Sequence, residues 1–425
     1  MWTAAFVASI VVFAGALTLV ALFERYRVWI VAAGAALSLA LGLVSLSSLP
    51  PSGWAATSSV IQWNTLALLA GLFLLAALFG ALGISRWAAL KLAGGLRGHP
   101  VAIFLALALL AFFLSMFLNS VAVVILLIPV SLEISRELNL DPIPLLLAEV
   151  SSANLGGTAT LVGNPANLIL GGQFGLTFSG FLAHAALPAV AALAVTLAWF
   201  VSRLPSRADR PAFALSEPPK LDPLRSGVAV GAFVVMAAVL FESTAWGIPL
   251  WMVGVAAAVT ALAVAGARFA RGLVEEFDWS TVLFLLFLFV LVGGLQQTGV
   301  IDAISGGILA TGITNPILMG VLLIWIMAFA SAFVDNIPLA AVAGPLIAGL
   351  SGGSTLDPKP LAYASAVGLG VGGNATSIGS ISNVSALSLA ERDGVRVSFV
   401  EYLRRSMPIM VVALIAATAV WVLVG

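Results

Sequence analysis

Residues 148–169, AEVSSANLGGTATLVGNPANLI, and residues 369–394, LGVGGNATSIGSISNVSALSLAERDG, contain the pattern that decides the fold. Each stretch runs from an apolar segment into Gly-Gly and a cluster of small polar residues. Each then resumes with Asn-Pro or Ser. Glycine is typical of a helix end, whereas Asn, Ser and Pro favour the start of a new helix. The two stretches therefore predict two broken helices.

Each predicted broken helix would be about 40–45 Å long if it were wholly helical, which is too long for one plain membrane span. The expected features are a helix over 143–170 that stops near Gly156-Gly157 and restarts at Asn164-Pro165, and a helix over 361–390 that stops near Gly372-Gly373 and restarts at Ser380. At such a break, carbonyl groups offer partial negative charge to a cation. The amides of the restarting helix offer partial positive charge to an oxyanion or hydroxyl.

The amino-acid composition indicates that these breaks belong to a membrane protein. The chain has 425 residues, of which 61% are apolar and only 8% charged, and 18 basic residues balance 18 acidic ones. A soluble domain of this size could not cover its surface with so few charges, so the chain is predicted to be an all-α polytopic membrane protein. The absence of cysteine excludes disulfides, thiolate metal sites and cysteine nucleophiles. We expect no metal, no cofactor and no nucleic acid.

Ten membrane crossings and two re-entrant hairpins account for the apolar segments. The hairpins are expected over 100–138 and 316–350, because polar residues interrupt both segments near the middle. With the N-terminus outside, every Lys and Arg except Lys359 falls in a cytoplasmic loop, as the positive-inside rule requires. Both termini are therefore expected outside an inner (plasma) membrane. The first segment has no basic residue before it and is expected to be a retained helix. The segments are 4–23, 28–48, 63–83, 100–138, 143–170, 180–202, 224–242, 247–266, 279–299, 316–350, 361–390 and 407–424.

An internal repeat relates the two halves of the chain by 216 positions. The matched pairs include Trp63 with Trp279, Pro100 with Pro316, Asn119 with Asp335, Pro129 with Pro345, Gly156 with Gly372, and Asn167 with Asn383. Each half, 1–202 and 224–425, has five crossings and one hairpin, and 203–223 is a cytoplasmic linker. An odd number of crossings inverts the second half relative to the first. Inverted repeats with a site near the midplane are typical of secondary transporters.

Polar clusters at the breaks and the hairpin tips form the predicted substrate site. Backbone outside a helix can lie at membrane depth only where it lines a cavity or is buried in protein. The competing interpretation is that small polar residues merely join helices. The candidate substrate-binding residues are Asn119, Ser120, Gly157, Thr158, Thr160, Asn164, Asn336, Gly373, Asn374, Thr376, Ser377 and Ser380.

Two carboxylates lie well inside hydrophobic segments, and both are candidate sites for a coupling proton or ion. A charge in hydrocarbon costs at least about 2.5–3.5 kcal/mol, so an acid there indicates function. Asp335 lies at a hairpin tip, where its repeat counterpart is the neutral Asn119, and Glu149 lies in the first broken helix. No Lys or Arg lies deep within a predicted span, so we expect no fixed cation to face an anionic substrate.

The two hairpin sequences, SMFLNSVAVVILLIP at 115–129 and FVDNIPLAAVAGP at 333–345, complete a resemblance that covers nearly the whole chain. Together with the break sequences, they resemble the ion transporter superfamily. That superfamily includes arsenite permeases, the melanosomal P protein, D-type sodium/proton antiporters and divalent-anion/sodium symporters. The resemblance implies a scaffold domain and a moving transport domain, as in elevator transporters. The symporters have Ser-Asn-Thr at the hairpin tips, and this chain does not, so it is more similar to the arsenite permease and P protein branch.

The resemblance implies proton-coupled efflux of arsenite or antimonite by alternating access, with a Na⁺/H⁺ antiporter and a Na⁺-coupled carboxylate or oxyanion carrier as alternatives. Uncharged arsenite suits a site of amides, hydroxyls and helix ends. An intramembrane hydrolase is disfavoured because the chain lacks an H-E-x-x-H motif, and an ATPase because it lacks a phosphate-binding loop. Besides the solute, the proton or Na⁺ and the bilayer, a second copy of the chain and a separate ATPase subunit stay open as partners.

Overall fold

A computed structural model describes residues 3–49, 60–96, 99–204, 216–243, 246–275 and 277–424. Most of these residues are helical, and none of them forms a strand. Most of the predicted linker 203–223 lies outside the described residues. The helices are α1 Ala4–Leu22, α2 Arg27–Ala40, α3 Trp63–Ala81, α4 Ile84–Gly95, α5 Pro100–Ser115, α6 Ser120–Glu137, α7 Pro142–Ala159, α8 Pro165–Phe174, α9 Phe178–Phe181, α10 Leu187–Val201, α11 Pro223–Glu242, α12 Leu250–Glu275, α13 Trp279–Gln297, α14 Val300–Leu309, α15 Pro316–Ser331, α16 Asn336–Gly352, α17 Pro358–Gly372, α18 Ile381–Arg392 and α19 Phe399–Val424.

The described helices include six that are long and apolar enough to cross a bilayer. These are α1, α3, the continuous stretch Phe178–Val201, α11, α13 and α19. Shorter apolar helices accompany them, among them α5 and α15 with 16 residues each. A span needs about 20 apolar residues. The arms of both predicted hairpins therefore include a helix that is short for a full crossing.

Several elements differ from the segments expected of the sequence. Helix α2 ends at Ala40, well before the predicted end at 48, because Gly42 takes a positive φ of 66° and turns the chain. Helix α4 lies in a stretch predicted to be only a cytoplasmic loop. Hydropathy locates apolar runs, but it does not detect a glycine turn or a short interfacial helix.

The two hairpins turn where the polar residues interrupt their apolar segments. Helix α6 begins after Asn119, whose side chain accepts a hydrogen bond from the Val121 amide at 3.0 Å. Helix α16 begins after Asp335, which occupies the same N-cap position without a capping hydrogen bond from its side chain. The tips of the hairpins are thus helix starts.

The first broken helix ends later than predicted. Helix α7 continues through Gly156 and Gly157 to Ala159, and α8 begins at Pro165 after the capping residue Asn164, as expected. The glycines serve close packing instead of ending the helix. A Cβ atom on Gly156 would lie 2.1 Å from the carbonyl oxygen of Phe112 in α5. Only glycine allows α7 to approach α5 this closely.

The second broken helix repeats the arrangement. Helix α17 ends at Gly372 and α18 begins after the capping residue Ser380, as predicted. A Cβ atom on Gly372 would lie 2.2 Å from the carbonyl oxygen of Ala328 in α15. Since Gly372 and Ala328 are the repeat counterparts of Gly156 and Phe112, the two halves pack their hairpins and broken helices by the same contact.

Helices of the first half also pack against helices of the second half. Helix α6 of the first half packs on α18 of the second, and the counterpart of α6, α16, packs on α8, the counterpart of α18. Helices α7 and α17 contact each other directly. Both breaks and both hairpin tips are therefore gathered in one buried region, as the polar clusters predict.

Candidate functional site

Threonine hydroxyls tie each break to the end of its hairpin. The Thr160 hydroxyl donates to the carbonyl oxygen of Met116, and the Thr376 hydroxyl donates to that of Ala332. Met116 and Ala332 are the C-caps of α5 and α15, so each bond satisfies a carbonyl group that the helix leaves free. In this conformation the two predicted ligands, Thr160 and Thr376, therefore join the breaks to the hairpins.

The other break residues are likewise buried and bonded locally. Asn164 and Ser380 cap α8 and α18. The Thr158 hydroxyl donates to the carbonyl oxygen of Asn154 at 2.8 Å. Gly157 and Gly373 lie against the backbones of Gly163 and Gly379. Asn336 and Ser377 are also buried.

Asn154 joins the two halves at the centre of the region. It is buried in α7, and its Nδ2 atom donates to Oδ1 of Asn374 and to Oδ1 of Asn383, both at 2.9 Å. The Ser380 hydroxyl donates to Oδ1 of Asn154 at 3.3 Å. Sequence reasoning missed Asn154, because its repeat counterpart is Gly370 and the repeat therefore does not mark it.

A second link between the halves lies at the first hairpin tip. The hydroxyl groups of Ser120 and Ser382 share a buried hydrogen bond of 2.8 Å. Ser382 lies in the first turn of α18, just after the second break. The first hairpin tip therefore contacts the restart of the second broken helix.

A cavity of about 990 Å³ opens next to the first hairpin tip. Asn119 lines it, and the Ile381 and Val384 side chains of α18 form part of its wall. Its other polar and charged lining residues are Glu24, Arg25, Arg27, Asp278, Ser280, Ser385 and Ser388. The volume is ample for a small solute. Of the predicted substrate-binding residues, Asn119 lines this cavity, and the residues of the two breaks are not among its described lining residues.

A smaller cavity of about 90 Å³ adjoins it at the second hairpin tip. Asp335 lines this cavity, together with Glu24 and Arg27, which the two cavities share. Both carboxylate oxygens of Asp335 are buried and form no hydrogen bond with the described residues, although the Ile381 and Asn336 amides lie nearby. A carboxyl group without a partner beside a cavity is free to bind a proton or a cation.

The expectation that no fixed cation faces the site was wrong. Arg27 is the first residue of α2, and its side chain is only 13% exposed. Its guanidinium donates to the hydroxyls of Ser280 at 3.2 Å and Thr281 at 3.0 Å, and it lies 4.0 Å from Asp278. These partners lie at the start of α13 and draw Arg27 inward. Sequence reasoning placed it in a loop because the contact joins residues far apart in the chain.

Glu24 belongs to the short 3-10 turn between α1 and α2, outside the spanning helices. Burial raises the pKa of the Glu24 carboxyl, and the positive charge of Arg27 partly opposes that rise. Glu24 and Arg27 thus bring opposite charges to the wall of the Asp335 cavity.

Glu149 lies apart from both cavities. It is fully buried in α7 near Ser131 of α6, and its carboxylate oxygens form no hydrogen bond with the described part of the chain. The structure therefore separates the two predicted coupling carboxylates, one beside a cavity and one in the packed interior. Glu149 stays a candidate on burial alone.

Comparison with known proteins agrees with this architecture. A sequence model of the citrate transporter family, CitMHS, matches residues 17–368. The chain belongs to this family. Membership in the ion transporter superfamily, expected from the motifs, is thereby confirmed. This member of the citrate transporter family is a secondary transporter of small solutes in a membrane, and it is not an enzyme.

Relatives and a solved structure support the assignment. An uncharacterized transporter of Mycobacterium tuberculosis is 30% identical over 426 residues, which cover 98% of each chain. The human P protein is 29% identical over 83% of this chain, which spans about half (53%) of that protein. The crystal structure of the Alcanivorax borkumensis YdaH transporter matches with a TM-score of 0.59 over 84% of each chain. Its sequence identity is 14%, so this likeness concerns the fold alone.

Proposed function

We propose that this member of the citrate transporter family is a proton-coupled exporter that works by alternating access, with Asp335 as the coupling group. The observation that carries the proposal is the buried, unbonded carboxylate of Asp335 on the wall of a cavity. The repeat counterpart of Asp335 is Asn119, which lines the adjoining cavity and cannot titrate. One ionisable tip and one neutral tip suit a single coupling site.

Charge balance around the cavities supplies the physical basis of coupling. The charged residues that line the two cavities are Glu24, Arg25, Arg27, Asp278 and Asp335, with a formal net charge of one negative. One proton on Asp335 makes this set neutral. Closing a charged cavity away from water costs more free energy than closing a neutral one. The transition between open states is therefore favoured when Asp335 carries a proton.

We propose arsenite or antimonite as the exported solute. At neutral pH arsenite is an uncharged trihydroxide, which the neutral polar residues Asn119, Ser280, Ser385 and Ser388 of the larger cavity can bind by hydrogen bonds. The proposal places the protein in the inner (plasma) membrane with both termini outside and its larger cavity open to the cytoplasm. A homodimer is the proposed assembly, with a separate ATPase subunit as an open partner.

A second candidate solute is an anion, such as a carboxylate or an oxyanion. The guanidinium of Arg27, which is only 13% exposed, favours it on the cavity wall, as does the description of the family as citrate transporters. Na⁺/H⁺ exchange is the third candidate, because one Na⁺ would neutralise the cavity set as well as one proton does.

The test uses purified protein in vesicles under an imposed pH gradient. Arsenite, citrate and Na⁺ are offered in turn, without ATP. Gradient-driven accumulation of arsenite supports the proposal, whereas accumulation of citrate alone identifies the anion carrier. Movement of Na⁺ against the proton gradient, with neither arsenite nor citrate transported, identifies the antiporter. Accumulation of solute that continues after the pH gradient is collapsed contradicts coupling to protons.

A further inference from the structure

The carbonyl groups of the first break surround a side chain of the protein itself. The Nδ2 atom of Asn167, in the first turn of α8, lies 3.0 Å from the Gly157 carbonyl oxygen, 3.3 Å from that of Thr158 and 2.7 Å from that of Thr160. Asn167 is buried, with 2% of its surface exposed. One amide group therefore lies within hydrogen-bonding distance of three carbonyl oxygens at the break.

The second break has the same arrangement. The Nδ2 atom of Asn383 lies 2.8 Å from the Gly373 carbonyl oxygen and 2.7 Å from that of Thr376. Asn383 is the repeat counterpart of Asn167, and it is also fully buried. The arrangement is therefore a feature of both repeats, built from residues that the repeat itself relates.

Unwound carbonyl groups at helix breaks are the ligands that transporters use for Na⁺. The NH2 group of a side-chain amide presents two hydrogens with partial positive charge, so it satisfies carbonyl oxygens as a cation would. The nitrogen and a cation cannot occupy the same position. While the asparagine side chains keep these hydrogen bonds, they occupy the position that a cation bound by the same carbonyl oxygens would need.

The oxygen atom of the Asn383 side-chain amide also forms a hydrogen bond. This Oδ1 atom accepts a hydrogen bond of 2.9 Å from Nδ2 of Asn154. If the Asn383 side chain rotated away, the Gly373 carbonyl oxygen and one hydrogen of the Asn154 amide would lose their hydrogen bonds in a buried region. The Thr376 carbonyl oxygen would keep only its 3.3 Å bond from the Gly379 amide. Buried polar groups without partners are strongly disfavoured, so the asparagine is a fixed part of the break.

We propose that Asn167 and Asn383 occupy the cation positions of the two helix breaks with their own amide groups, and that transport by this chain consequently does not require Na⁺. The inference rests on the proposed function, because it assumes that the chain is a coupled transporter. It adds that the carbonyl oxygens of the breaks do not form a sodium site. It leaves Asp335 as the place where the coupling proton binds. The two asparagines thus act as determinants of ion specificity.

The wild-type protein provides the deciding measurement. Transport driven by a pH gradient is measured in vesicles containing NaCl, KCl or choline chloride, and thermal unfolding of the purified protein is followed in the same salts. We expect the same transport rate and the same apparent Tm in all three salts. A faster rate or a higher Tm in NaCl overturns the proposal. Loss of proton coupling itself is a separate result, which tests the proposed function instead.

Substitutions test whether the asparagines are the cause. Asn167→Asp and Asn383→Asp replace the amide with a carboxylate, which needs a cation among the carbonyl oxygens. Both variants should gain a rise in apparent Tm in NaCl over choline chloride. Asn315→Asp is the matched control, because Asn315 is an exposed N-cap where Asp serves equally well, and it should gain none. Folded Asp variants that show no response to Na⁺ overturn the assignment.

Discussion

The side chain of Asn154 donates from Nδ2 to Oδ1 of Asn374 across 2.9 Å, which joins the first broken helix to the break of the second. The same atom also reaches Asn383. Because both acceptors are buried, this one amide fixes the relative position of the two breaks. A change at Asn154 is therefore expected to affect both halves at once.

We predict that Asn154→Ala destabilises the protein by about 1–3 kcal/mol for each acceptor left unpaired. The measurement is the midpoint of thermal unfolding of the purified protein in detergent. Ser152→Ala is the matched control, because Ser152 is equally buried in α7 but its hydroxyl forms no hydrogen bond with the described residues. Equal stabilities of the two variants would show that the asparagine link contributes nothing.

The close contact between α7 and α5 leads to a second prediction. Gly156→Ala should reduce stability by about 1–3 kcal/mol or prevent assembly, because the added methyl group overlaps the Phe112 carbonyl. Expression level and the unfolding midpoint report the effect. Gly231→Ala in α11 should be neutral or stabilising, since nothing lies within 4 Å of the added Cβ atom. A stable Gly156→Ala variant would mean that the helices can separate without cost.

Local chemistry explains which parts of this fold were predictable. Asn164 and Ser380 begin helices because a cap needs only its own side chain and the next few amides, so both restarts could be located in the sequence. The end of α7 was misplaced because glycine both ends helices and permits close packing. The neighbour that decides between these roles, Phe112, is far away in the chain.

The site was harder to predict than the fold for the same reason. Asp335 and Asn119 could be identified because a polar residue in an apolar segment is conspicuous. Arg27 borders a predicted loop, and only its hydrogen bonds to Ser280 and Thr281 bring it to the cavity. The threonines at the breaks have the composition of a ligand site, yet their hydroxyls bond the ends of the hairpins.

Membrane orientation gives a third prediction. A reporter fused after Lys220 should be cytoplasmic, and one inserted between Ser351 and Gly352 should be extracytoplasmic. The reason is that, with the N-terminus outside, every basic residue except Lys359 falls on the cytoplasmic side. Accessibility of single cysteines placed at the two positions provides an independent check, since the chain has none of its own. The opposite labelling would reverse every loop.

Substitution of Arg27 distinguishes an anionic solute from an uncharged one. If the cargo is an anion bound by the guanidinium, Arg27→Gln should raise KM at least about tenfold, because a hydrogen bond to a charged group contributes about 1.5–3 kcal/mol. If the cargo is uncharged arsenite, KM should change much less. Initial rates in vesicles at several solute concentrations measure it. Arg25→Gln is the control, because Arg25 lines the same cavity but is exposed.

The last prediction concerns coupling. Asp335→Asn should abolish accumulation driven by a pH gradient, while solute exchange without a gradient persists. Asparagine keeps the shape of the side chain, but it cannot bind or release a proton. Asn119→Asp should be tolerated better, because it adds an acid at the repeat-related tip without removing the coupling group.

Transport by the Asp335→Asn variant is measured across a range of pH and corrected for the amount of folded protein. We expect its rate to become independent of pH, since one negative charge has been removed permanently from the cavity set. If the carboxylate served only to shape the hairpin tip, asparagine would replace it, and both the rate and the pH profile would be those of the wild type. That result would move the coupling role to Glu149, which is fully buried and also lacks a hydrogen bond to the described residues, and Glu149→Gln would then be the variant to measure.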